Sequence, residues 1–204
     1  MRIDLRFTID CDPDAAWRAV HSPAVAAQLY GSLMQLEPLT PLPERFGATP
    51  GDDAAGETTA ESAAESAAES AAETAEETAA EAEVEVQLRL AGLLPIGRQV
   101  ICVRDETWGT GASLVRTMHD EGRPLSGPLA LLTGWHHRMT ITPVPGEPNR
   151  AIWRDRLAFG GPVALVAWPV MWITWAWRAQ RIRKLAPSWR SAEANSPETI
   201  ASAL

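Results

Sequence analysis

The 204-residue sequence is poor in several residue types. It has two cysteines, one tyrosine and three phenylalanines, and its single lysine is Lys184. Cys11 and Cys102 are too few for the disulfide framework of a small secreted domain. The N-terminal MRIDLRFTID has no continuous apolar stretch, which predicts no secretory leader and a cytoplasmic location. Metal-ligand spacing is missing, because His136 and His137 are adjacent and point opposite ways on a strand. Gly109-Thr110-Gly111 lacks the lysine and the strand-to-helix setting of a phosphate loop. No Ser-His-Asp or Cys-His signature is legible. The sequence thus predicts neither metal nor cofactor. Arginine in place of lysine fits the codon usage of a GC-rich bacterium.

Charge is present but unevenly placed. The formal net charge is −8, yet residues 51–83 hold 11 acidic residues and no basic one. Without that stretch, 15 acidic and 18 basic residues remain, a net of +3. A pI near 5.0 argues against a nucleic-acid partner, which selects a basic footprint. Within 51–83, glutamates recur at 61, 65, 69, 73, 77 and 81. Alanine favours helix there, but like charges four apart repel and no apolar stripe can dock. The expectation is a solvated low-complexity insertion, disordered or partly helical. It interrupts a single domain spanning 1–187, and 188–204 reads as a flexible tail.

The rest of the chain shows clear periods. Ile3, Leu5, Phe7 and Ile9 alternate with polar neighbours, a half-buried strand. Asp12-Pro13 and Ser22-Pro23 each pair a cap with proline at the first helical position, opening two short helices. Alternation returns from Val84 to Leu90. Further strands are expected at 97–105, 112–120, 133–142 and 150–159, the last two joined by a turn at PVPGEPN. The short glycine-bearing connections imply antiparallel pairing. A helix-length apolar segment follows, PVALVAWPVMWITWAWRAQRIRKLA. Pro169 should kink that helix or restart it.

Strand, two short helices, antiparallel strands and one long closing helix make an α+β order of the helix-grip kind. The segments FTIDCDPDAAWRAVHSP, GWHHRMTITP, WRDRLAF and WAWRAQRIRKLAPSW resemble the START-like, or SRPBCC, superfamily, which includes Bet v 1-like and polyketide cyclase/dehydrase-type proteins. The resemblance covers roughly 1–50 and 84–187. It implies a curved antiparallel sheet gripping the C-terminal helix, with a hydrophobic small molecule or lipid bound in a cavity between them. Some relatives of this kind are cyclases or hydratases, and many have no known reaction.

The gripping face follows from the alternation. Trp135, His137, Met139 and Ile141 share one side of their strand; Trp153, Asp155, Leu157 and Phe159 share one side of theirs. Pairing about Gly146 sets His137 opposite Leu157 and diagonal to Asp155. The plain expectation is a buried polar pair that satisfies itself, or an Asp155 that salt-bridges an arginine. The alternative is catalysis, with Asp155 orienting His137 as a general base. Trp168, Trp172 and Trp175 fall at i, i+4 and i+7, a helical stripe that fits core packing and cavity lining alike. Expected ligand contacts are therefore Trp135, His137, Met139, Trp153, Asp155, Leu157, Trp168, Trp172 and Trp175. Arg178, Arg181, Arg183, Lys184 and Arg190 read as a solvated helix end, or as a counter-charge to the acidic insertion. Finally, the 20 uncharged residues from 158 to 177 are just long enough to span a bilayer, which leaves membrane association as a further alternative.

Overall fold

The computed structural model describes residues 1–47 and 83–194. The acidic insertion lies outside the described residues apart from Glu83, as does the chain from 195. Eight strands and three α-helices run in the order β1 (Arg2–Ile9), α1 (Pro13–His21), α2 (Pro23–Tyr30), β2 (Met34–Pro38), β3 (Val84–Leu90), β4 (Leu94–Ile101), β5 (Val103–Trp108), β6 (Val115–Asp120), β7 (Thr133–Val144), β8 (Glu147–Gly160) and α3 (Ala164–Ala194). This is the expected α+β class, with an antiparallel sheet that is not closed.

The strands form two ladders, one of order β1-β8-β7-β6-β5 and one of order β2-β3-β4. The single strand expected over 97–105 is in fact two, parted at Cys102, where the chain passes from one ladder to the other. After β6 the chain turns back along β4: Val100 N–H donates to Arg123 O and Leu125 N–H to Arg98 O. The return is tight enough to require glycine, since a Cβ on Gly122 would lie 1.9 Å from Val100 O. β2 was not expected. It is five residues long and pairs with β3 from Met34↔Leu90 to Pro38↔Val86.

Local chemistry explains the elements. In β1, Ile3, Phe7 and Ile9 are buried. On the other face, Asp4 accepts from Arg2, Arg154 and Arg156. The hydrogen bond from Arg154, with those from Arg2 and Arg156, holds the Asp4 carboxyl far below its usual range. Asp12 caps α1 by accepting from Ala15 N–H at 2.8 Å, and Ser22 caps α2 through Val25 N–H. The β7–β8 hairpin turns on Pro145-Gly146, with Gly146 at φ +77°, a left-handed value that glycine adopts without strain.

α3 lies across the buried face of the sheet. Its core stripe is Met171, Trp175, Arg178, Ile182, Ala186 and Trp189, all buried, at spacings of four or three. The helix is not restarted at Pro169. It also continues past 187. Trp189 is buried against Trp153, ring centroids 6.0 Å apart, so the flexible tail expected from Ser188 does not begin there. Among the described residues, no helix is long and apolar enough to cross a membrane. The 158–177 run is divided, because Ala158, Phe159 and Gly160 belong to β8.

Candidate functional site

The β7–β8 register pairs His137 with Leu157 and Met139 with Asp155. His137 and Asp155 therefore sit diagonally on the face covered by α3. Their side chains meet: His137 Nε2 lies 2.8 Å from Asp155 Oδ1. That oxygen also accepts from Trp175 Nε1 at 2.8 Å. The second carboxylate oxygen takes a hydrogen bond and ion pair from Arg178 Nη1. Arg178 Nη2 reaches Met139 Sδ at 2.9 Å, and its guanidinium carbon lies 5.4 Å from the Tyr30 ring centroid. Asp155 is 1% exposed and Arg178 4%. Arg178 is thus no part of a solvated patch, a correction to the sequence expectation for that residue.

Burial alone would raise the Asp155 carboxyl. The Arg178 guanidinium, helped by His137 and Trp175, outweighs that effect and holds it below the usual carboxylate range. An ionised Asp155 can only accept, so the proton shared with His137 belongs on Nε2. The other ring nitrogen, Nδ1, faces Asp120 Oδ2 at 4.0 Å. Asp120 responds oppositely to its surroundings. Burial pushes its carboxyl up, with the His137 charge and the Gly122 and Cys102 amides opposing. Tyr30 is likewise raised by burial. Two aromatic contacts brace the cluster: Trp175 meets the His137 ring edge-on at 5.2 Å and Trp135 at 6.2 Å.

One wall of this cluster faces a cavity of about 80 Å³. A single water needs about 10–15 Å³ of such space, so there is room for a small organic molecule. The polar lining is Asp120, His137, Arg178 and Gln99; the apolar lining comes from every layer, including Leu29, Met34, Leu88, Met118 and Met171. Tyr30 and Phe46 also line it. A smaller hollow of about 30 Å³ adjoins it and shares Ala26, Leu36, Phe46 and Ile101.

The expected contacts divide into three groups. Trp135, His137, Met139 and Trp175 line the cavity. Trp153, Asp155 and Leu157 are buried in the core without lining it. Trp168 and Trp172 are corrections: they are 36% and 46% exposed and do not line the cavity. The segment 164–177 is uncharged and, apart from Thr174, apolar on every side, so periodicity alone could not say which stripe turns inward. The true stripe is 171-175-178-182-186-189, and Arg178 is its single charge. Asp120 was missed because β6 offers no clean alternation; its last three residues, Met118, His119 and Asp120, are all buried.

No family model matches the chain, and no curated protein matches it. Among the solved structures it is similar to, at low identity, are two bacterial proteins. One is a Thermus thermophilus protein, with TM-score 0.45, 10% identity, and 96% of this chain and 100% of that chain covered. The other is a Rhizobium loti protein, with TM-score 0.34, 11% identity, and 89% and 96% covered.

Proposed function

We propose that this chain binds a small hydrophobic molecule or lipid in the cavity beneath α3. The observation that carries the reading is a largely apolar cavity with three charged or titratable groups of the buried cluster, Asp120, His137 and Arg178, gathered on one wall. Such a division suits a ligand with an apolar body and one oxygen function. Burial of the body supplies roughly 25 cal/mol per Å². Asp120 Oδ2 and His137 Nδ1 face each other at 4.0 Å, too long for a direct bond. A ligand hydroxyl can bond to both. The element order and the position of the cavity also support the START-like reading.

Naphthol, an apolar body with one hydroxyl, should raise the melting temperature and change tryptophan emission through Trp135 and Trp175. Naphthalene, which lacks the hydroxyl, should stabilise the protein less. Trp172→Ala should leave both responses intact, since Trp172 faces outward. No shift with either compound, or native mass spectra in which lipophilic compounds never associate, would refute the proposal.

A second reading is catalysis of the cyclase or hydratase type. It is favoured by one observation: His137, held on one nitrogen by Asp155, lines the cavity. It requires that His137→Gln abolish turnover while naphthol still stabilises the variant.

A further inference from the structure

We infer that the outward face of the first half of α3 docks on an anionic lipid surface. Every exposed residue of α3 from Leu165 to Trp177 is apolar. Leu165 is 73% exposed, Val166 79% and Ile173 57%, with Val170, Trp168, Trp172 and Trp177 beside them. Soluble monomers rarely keep so continuous an apolar strip without a partner for it. The strip has an order to it. At 3.6 residues per turn, Trp168 and Trp172 lie along one edge, and Leu165, Pro169, Ile173, Val166, Trp177 and Val170 follow in that order toward the other. Tryptophans set beside aliphatic residues suit the boundary between acyl chains and headgroups.

Charge identifies the partner. Eighteen residues are five full turns, so Arg183 falls below Leu165 and Lys184 below Val166 on the same outward line. Both are exposed. The apolar strip therefore runs directly into a cationic one. From Ala164 to Arg190 the helix carries five cations and no carboxylate. The same helix of a second copy would bring no negative charge to Arg183 and Lys184 from that span. Anionic headgroups supply it, at a surface where each cation strengthens binding about fivefold. Since no described helix is long and apolar enough to cross a bilayer, α3 would lie flat with its strip in the interface.

The test uses the full chain and two vesicle types, phosphatidylcholine alone and phosphatidylcholine mixed with phosphatidylglycerol. The protein should co-sediment with the mixed vesicles, less with the neutral ones, and progressively less with added salt. Ile173→Glu should weaken binding about tenfold or more. Arg183→Gln with Lys184→Gln should weaken it about fivefold for each charge. These positions are exposed, so an unchanged melting temperature verifies that each variant is folded. The charge pair also serves if Ile173→Glu fails to fold. Absence of sedimentation with the mixed vesicles overturns the inference. So does a dimer, seen by light scattering, that Ile173→Glu dissociates while vesicle binding is nil. Neither result touches the cavity, whose ligand is tested separately by naphthol.

Discussion

Asp120 and Asp155 are buried carboxyls on either side of one imidazole, and their partners decide their opposite behaviour. Asp155 has a guanidinium in contact; Asp120 has backbone amides and a histidine nitrogen 4.0 Å away. A full positive charge in contact outweighs the loss of hydration, and two neutral amides do not. The sequence made His137 and Asp155 legible because strand alternation fixes a face and a hairpin fixes a register. Arg178 was not legible as their partner, because a basic residue near a helix end has a simpler use in solvent. The Asp120 displacement has a definite consequence for pH. A carboxyl raised above its ordinary value of 3.8 binds more protons in the folded state than in the unfolded chain. Its contribution to stability is full below that ordinary value and is lost as pH rises through the folded value. Asp120→Asn keeps an oxygen for the Gly122 N–H at 3.1 Å and removes the titration. The variant should melt with wild type near about pH 3 and above it by a margin that widens toward about pH 7, with about 1.4 kcal/mol for each unit of upward displacement. A margin that is constant or narrows with rising pH would show that Asp120 ionises readily in the folded protein.

α3 shows at the scale of an element what local sequence can and cannot say. Its existence and length class were evident from the apolar run. Its inward stripe and its end were not. Pro187-Ser188 reads as a stop, yet the helix tolerates Pro187 because that residue is exposed, and water can serve the carbonyl its missing N–H leaves free. Among the strands, long alternating ones were legible, while β2 was not. Five residues ending in proline carry too little pattern, and β2 gains its order from pairing with β3 across a long stretch of sequence. The last turns of α3 contribute to the core, because Trp189 closes it over Trp153. Trp189→Ala should lower unfolding free energy by about 3 kcal/mol, as for other large-to-small changes at buried aromatics. Denaturant titration reads this directly, and a loss under about 0.5 kcal/mol, the range of a surface change, would mean that the last turns of α3 do not hold the core.

On the scale of the whole molecule, two β ladders, three helices and Phe46 surround one cavity, and no single element owns it. Leu29 comes from α2, Met34 from β2, Leu88 from β3, Met118 from β6 and Met171 from α3. That distribution is why the cavity was expected from a resemblance and could not be read from any segment. It also means that the space can be altered from a wall remote from the polar cluster. Leu88 is buried on β3, in the ladder opposite His137. Leu88→Phe extends a ring into space that is open, so added contacts should outweigh strain, and filling of this kind commonly gains about 0.5–2 kcal/mol. The unliganded variant should melt higher than wild type, and its response to naphthol should disappear. Two other outcomes are informative in the opposite sense. A lower melting temperature is the mark of an overpacked core, and would mean that the space does not exist in solution. A higher one with the naphthol response intact would place that ligand elsewhere and remove the cavity from the proposed function.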